Sequence, residues 1–219
     1  MSILTKRLRG VAVAAALVGA AAPAAGAAEP LAVLAFGDSL TAGYGLPENQ
    51  AFPQVLERRL RDMGWNVRVR NGGVSGDTTA GGRARLEWML EPRPDAVILE
   101  LGANDALRGL PPAQAKDNLA AILAELKRRG IPVLLAPMAA PRNLGPDYVQ
   151  AFDAIYPALA KDFGVPLAPL FILPIVDRPD LTLGDAIHPN AAGVEKIVAA
   201  ILPDAVKLLE AARAAKGAE

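Results

Sequence analysis

An apolar run, Leu31–Phe36, stops abruptly at Gly37-Asp38-Ser39 and passes into small, turn-prone residues, so that 31–45 reads LAVLAFGDSLTAGYG. A short apolar run bounded by turn residues is the signature of a strand buried on both faces. The pattern recurs. Ala96–Leu101 (AVILEL) is almost continuously apolar and opens into Gly102-Ala103-Asn104-Asp105, and Ile131–Ala136 repeats it. Trp65–Arg70 (WNVRVR) alternates apolar with polar residues, as a strand covered on one face does, and it exits through the glycine-rich stretch 71–77. Val165-Pro166-Leu167 is a short fifth candidate, confined to an edge by its proline.

Helical spacing fills the gaps between these strands. Phe52, Val55, Leu56 and Leu60 mark a helix within Glu48–Met63, and a second spans about Thr79–Leu90. Ala113–Arg129 carries Leu119, Ile122, Leu123 and Leu126 on one stripe, with Gly130 as its stop. Tyr148, Phe152, Ile155 and Leu159 predict a further helix kinked at Pro157. Val194, Ile197, Val198, Ile201 and Leu202 predict a last one, bent or broken at Pro203. Strands alternating with helices give an α/β fold, a three-layer α/β/α sandwich around a parallel five-stranded sheet. Central strands one, three and four with edge strands two and five suit the flavodoxin-like order 2-1-3-4-5.

The first 28 residues stand apart. Lys6, Arg7 and Arg9 precede an apolar run, Val11–Ala22, and small residues follow to Ala28, the layout of a cleaved secretory signal peptide. The run is short for a membrane span. Residues 29–219 then form a single domain, and export to a periplasm or beyond is expected. The leader holds three of the 23 basic side chains and no acidic one, which leaves the mature chain 20 basic against 23 acidic. That balance gives no broad attraction to nucleic acid. One histidine and no cysteine leave no disulfide and too few ligands for a metal site. No G-x-G-x-x-G follows the first strand and no G-x-x-x-x-G-K occurs, so neither a dinucleotide nor a phosphate-binding loop is indicated and no cofactor is expected.

Polar residues collect where strands end. Asp38-Ser39, Ser75-Gly76-Asp77 and Asn104-Asp105 follow strands one, two and three, and parallel strands all end on one rim. Asp185-Ala186-Ile187-His188 lies beyond strand five. Acyl transfer needs a hydroxyl, a base for its proton, an acceptor to orient that base and donors for the oxyanion. Ser39, His188, Asp185 and the trio of Ser39 N–H, Gly76 N–H and Asn104 amide supply candidates for each. Each also has an ordinary structural use: Asp38-Ser39 as a helix cap, Gly76 and Asn104 in turns, Asp185 and His188 as a surface ion pair.

Four blocks in order, GDSLTAGYG at 37–45, SGDT at 75–78, GAND at 102–105 and DAIHP at 185–189, resemble the GDSL, or SGNH, hydrolase family across essentially the whole mature chain. Within it the chain is similar to the bacterial thioesterase I/lysophospholipase L1 group, often labelled arylesterases. The resemblance implies the SGNH fold, with Ser39 as nucleophile, Asp185 and His188 completing the triad, and Ser39, Gly76 and Asn104 forming the oxyanion hole. Ala103 departs from the family's usual second glycine. Ser39 lies outside a G-x-S-x-G elbow, which argues against an α/β-hydrolase.

The expected activity is hydrolysis of small-molecule esters or thioesters through an acyl-enzyme. The loops after strands three and four offer Leu107, Arg108, Leu110, Met138, Arg142 and Leu144 as candidate substrate-binding residues for an apolar acyl group. A carbohydrate O-acetylesterase would use the same fold but would favour an aromatic-lined cleft, and aromatics are only 5% of the chain. A binding module without chemistry is the alternative from another class.

Overall fold

β1 (Leu31–Gly37) is the strand on which the sheet is built, buried on both faces over most of its length. The computed structural model describes residues 29–217, so the expected leader at 1–28 lies outside the described residues. β2 (Val67–Gly73) and β3 (Ala96–Glu100) flank β1, both parallel to it, and β4 (Val133–Ala136) adds beyond β3. The order is β2-β1-β3-β4. β3 and β4 are wholly buried, whereas β2 alternates, as an edge strand does.

The fifth strand expected at 165–167 is reduced to a single parallel bridge between Leu167 and Leu135. It lies beside β4 as the order 2-1-3-4-5 requires. Two bonds hold it, Leu135 N–H to the Pro166 carbonyl and Ala168 N–H to the Leu135 carbonyl. Pro166 and Pro169 have no N–H, so no longer ladder forms there. β2, in turn, runs on through Asn71-Gly72-Gly73, which the sequence suggests is loop. A Cβ at Gly73 would lie 2.2 Å from the Ala42 nitrogen, so only a glycine lets the strand end this close to the first turn after β1.

The helices are α1 (Ser39–Ala42), α2 (Phe52–Asp62), α3 (Thr79–Met89), α4 (Ala103–Leu107), α5 (Pro112–Arg128), α6 (Pro146–Asp153), α7 (Ile155–Phe163) and α8 (Ala191–Lys216). α2 packs on α8, which lies along β1, β3 and β4, while α3, α5 and α7 form a second row. The single helix expected around 148–159 is two, because Pro157 offers no N–H to the carbonyl of Asp153, where α6 ends. Pro203 does not end α8. An interior proline costs about 3 kcal/mol, but Val194, Ile197, Val198, Ile201, Leu208 and Leu209 are buried from this one helix. Each such side chain contributes about 1.5–3 kcal/mol. Packing outweighs the lost bond. No helix among the described residues is long and apolar enough to cross a membrane.

Candidate active site

Ser39 is the first residue of α1, set there by the break at the end of β1. Asp38 caps the helix, its Oδ1 accepting from Leu40 N–H at 3.0 Å. Gly37 keeps the turn tight. A Cβ at this position would meet the Thr41 hydroxyl at 2.1 Å and Glu100 Oε2 at 2.5 Å. That space is used by the Thr41 hydroxyl, which donates to Glu100 Oε2 at 2.7 Å beneath the serine.

His188 reaches the same place from 149 residues away. Its Nε2 lies 2.8 Å from Ser39 Oγ, and its Nδ1 lies 2.6 Å from Asp185 Oδ2. The loop carrying both is a small hairpin. Thr182 bridges Pro189, and Leu183 N–H donates to the His188 carbonyl at 2.8 Å. Asp185 Oδ1 accepts the N–H groups of Ile187 and His188, each at 3.0 Å, so its carboxylate is locked before it touches the ring. These two backbone donors, with the imidazole, pull the Asp185 pKa down to about 2. The structure therefore joins Ser39, His188 and Asp185 in one hydrogen-bonded chain.

Gly76 and Asn104 follow the exits of β2 and β3. Gly76 takes φ +81°, in a turn closed by Asp77 N–H on the Val74 carbonyl at 3.0 Å. Asn104, in α4, donates through Nδ2 to the Asp77 carbonyl at 2.9 Å and to Asp38 Oδ2 at 3.1 Å. Arg85 ties the exits together from below. Its guanidinium donates to Asp77 Oδ2 at 2.7 Å, the Gly72 carbonyl at 2.8 Å and the Gly37 carbonyl at 2.9 Å, and lies over the Phe36 ring. Asp105, buried, accepts from the Thr79 N–H and hydroxyl and so fixes α4 against α3. Burial pushes Asp38 up to about 6. Glu100 is fully buried, and desolvation with Asp38 beside it raises its carboxyl well above the usual range.

The sequence profile of the GDSL-like Lipase/Acylhydrolase family matches residues 35–196. The chain belongs to that family. It is accordingly a hydrolase of ester bonds. Among the relatives of this acylhydrolase, esterase TesA of Pseudomonas aeruginosa is 39% identical over 178 residues, 81% of this chain and 89% of its own length. Thioesterase 1/protease 1/lysophospholipase L1 of Escherichia coli K12 is 41% identical over 167 residues, 76% of this chain and 78% of its own. The crystal structure of AlinE4, an SGNH-hydrolase family esterase, superposes with a TM-score of 0.70 at 50% identity, covering 83% of this chain and 97% of that one.

In this family member a cleft of about 430 Å³ opens beside the serine, lined by Leu40, Ala103 and Ile187, neighbours of Ser39, Asn104 and His188. Of the loop residues expected around a substrate, Leu107, Met138 and Arg142 line it. Arg108, Leu110 and Leu144 do not. Arg108 turns away and donates to the Gly76 carbonyl at 2.7 Å, and the Leu110 carbonyl accepts the Tyr148 hydroxyl at 2.7 Å. The far wall comes from Leu170, Ile172, Leu173, Ile175 and Val176, which the sequence reading left unassigned. The apolar run 170–176, outside any strand or long helix, was the signal available for it. Arg85 and Tyr44, whose ring lies against His188, were also missed.

Proposed function

We propose that this hydrolase is a serine esterase acting on carboxylic esters and thioesters with an apolar acyl group, through an acyl-enzyme on Ser39. The observation that carries the reading is the unbroken line from Asp185 through His188 to the Ser39 hydroxyl, with contacts of 2.6 and 2.8 Å. Asp185 holds His188 with its proton on Nδ1, which leaves Nε2 free to accept from Ser39. The serine oxygen attacks the carbonyl carbon as its proton passes to Nε2. The oxyanion that forms takes hydrogen bonds from the N–H groups of Ser39 and Gly76 and from Asn104 Nδ2. When the intermediate collapses, the bond to the leaving oxygen or sulfur breaks and His188 returns the proton to it. Water then repeats the cycle on the acyl-serine and releases the acid.

The apolar walls of the cleft support an acyl chain, and the thioesterase and lysophospholipase activities named for the Escherichia coli relative fit the same groove. We read residues 1–28 as an export signal, so that the enzyme works in the periplasm or outside the cell as residues 29–219. N-terminal sequencing of protein recovered from the periplasmic fraction tests that placement. For the chemistry, purified mature enzyme and Ser39→Ala are compared on short and medium p-nitrophenyl esters, acyl-CoAs and acetylated xylan. A fluorophosphonate labelling both proteins, or turnover persisting in Ser39→Ala, would refute the assignment of the nucleophile. A preference for acetylated xylan would move the substrate to carbohydrate esters.

A further inference from the structure

Tyr44 is half exposed, yet its ring is not loose on the surface. Its centroid lies 4.5 Å from that of His188, with the planes tilted by 36°. The chain is built to hold it there. The N–H groups of Gly43 and Tyr44 both donate to the Ser39 carbonyl at 3.1 Å, and Leu46 N–H closes the turn on the Gly43 carbonyl at 3.0 Å. Gly43 and Gly45 take φ of +82° and +74°. A Cβ on Gly45 would lie 2.8 Å from Leu183 Cδ1, so the turn also abuts the foot of the hairpin that carries Asp185 and His188. Tyr44 is not among the residues lining the acyl cleft.

We propose that Tyr44 is a positioning residue for His188: one turn, fixed to the nucleophile's own carbonyl, seats the imidazole-bearing hairpin so that Nε2 meets Ser39 Oγ. The hairpin has need of a seat. It lies outside the sheet and is fastened at its foot, where Asn190, the cap of α8, donates its N–H to the Leu181 carbonyl at 3.0 Å and its side-chain amide to the Asp180 carbonyl at 2.9 Å. Asp185 and His188 orient each other nearer its tip. The Tyr44 ring packs against the imidazole without lining the acyl groove. An aromatic face packed on an imidazole restricts its rotation and stabilises the imidazolium formed when Ser39 gives up its proton. Tyr44 acts through His188, and its hydroxyl, which makes no hydrogen bond among the described residues, is not required.

This inference rests on the serine-esterase reading, and Ser39→Ala reports on that reading separately. Tyr44→Phe and Tyr44→Leu are compared with wild type on a p-nitrophenyl ester and by their rate of phosphonylation. Tyr44→Leu is expected to lose about three- to tenfold in kcat and in phosphonylation rate with KM unchanged within twofold, and Tyr44→Phe to restore both. The single histidine gives one set of imidazole C–H resonances. They carry the ring-current displacement of the aromatic neighbour in wild type and Tyr44→Phe, and lose it in Tyr44→Leu. Equal kcat in all three proteins, a loss confined to KM, or imidazole resonances that ignore the substitution would each overturn the proposal.

Discussion

The carboxamide of Asn104 gives one hydrogen to Asp38 Oδ2 at 3.1 Å and the other to the Asp77 carbonyl at 2.9 Å. An amide nitrogen has two hydrogens, so both are engaged in the resting site. The amide proposed as an oxyanion donor is thus held between the exits of β1 and β2 before substrate arrives. Asp77 is itself anchored by Arg85, and Asp38 by its cap on α1. An incoming oxyanion must displace one of these two acceptors to take an Asn104 hydrogen, so the amide is fixed in place but not free in the resting site.

Replacing Asp38 with Asn turns an acceptor beside the Asn104 amide into a neutral group able to present a donor. The expected result is a loss of about tenfold in kcat with KM for a short ester little changed, read by steady-state kinetics. Stability moves with pH as well. Burial lifts the Asp38 pKa from 3.8 to about 6, so between those values the folded protein keeps a proton that the unfolded chain has released. The favourable contribution is complete below about pH 4 and is lost as pH rises through about 6. Urea unfolding from pH 4 to 7 should show Asp38→Asn gaining on wild type across that window and levelling off above it. A constant difference would contradict the shift.

Glu100 offers a second test of the buried carboxyls. It is fully desolvated and receives the Thr41 hydroxyl at 2.7 Å, while its Oε1 has no hydrogen-bond partner among the described residues. Burial of this kind disfavours the charged carboxylate and raises the pKa. Glu100→Gln, which keeps the shape without a charge, should leave stability within about 1 kcal/mol and kcat within twofold of wild type. Glu100→Ala orphans the Thr41 hydroxyl and opens a cavity, and should cost about 2–4 kcal/mol in chemical denaturation. Glutamine proving as damaging as alanine would mean that the charge matters there.

Arg108 links α4, which presents Asn104, to the turn that presents Gly76, donating to the Gly76 carbonyl at 2.7 Å from the end of the helix. It is exposed and its loss leaves the core intact. Arg108→Ala should therefore lower kcat about three- to tenfold while the unfolding free energy changes by less than about 0.5 kcal/mol. Lysine, with one rotatable ammonium, should recover part of the loss. An effect on KM for long acyl chains alone would show the residue serving the groove instead.

Periodicity made the sheet and its order legible, because buried parallel strands write themselves as apolar runs ending in glycine. It did not show that prolines 166 and 169 leave only one bridge at the fifth position, or that packing carries α8 through Pro203. The rim residues were legible for a related reason: topology alone brings Ser39, Gly76 and Asn104 to one side of the sheet. Arg85 was not, since an arginine on a helix face looks the same whether it meets solvent or three oxygens. Tyr44 sat in plain view inside GDSLTAGYG, yet nothing in a linear string says that its ring lies on an imidazole 144 residues further along. The far wall of the cleft, 170–176, is visible as an apolar run but has neither helical nor strand period, so nothing in the run says what it lines.

Asp185 gives the most severe single-atom test. Its Oδ1 is taken by two backbone N–H groups, and Oδ2 alone faces His188 Nδ1. In Asp185→Asn the oxygen can remain on the backbone donors, which turns the NH₂ group toward Nδ1. The ring then accepts at Nδ1 and carries its proton on Nε2, pointing at Ser39 and unable to take the serine proton. The expected loss is about 10²–10⁴-fold in kcat, with a matching fall in phosphonylation and an unchanged fold by circular dichroism. Because the wild-type carboxylate titrates only near 2, it stays ionised wherever the enzyme is folded and active, so the acid limb of kcat/KM should not track Asp185. Asp185→Glu keeps the charge but lengthens the arm from a locked turn, and should recover only part of the rate. Full activity in Asp185→Asn would mean that His188 is oriented by something other than this carboxylate.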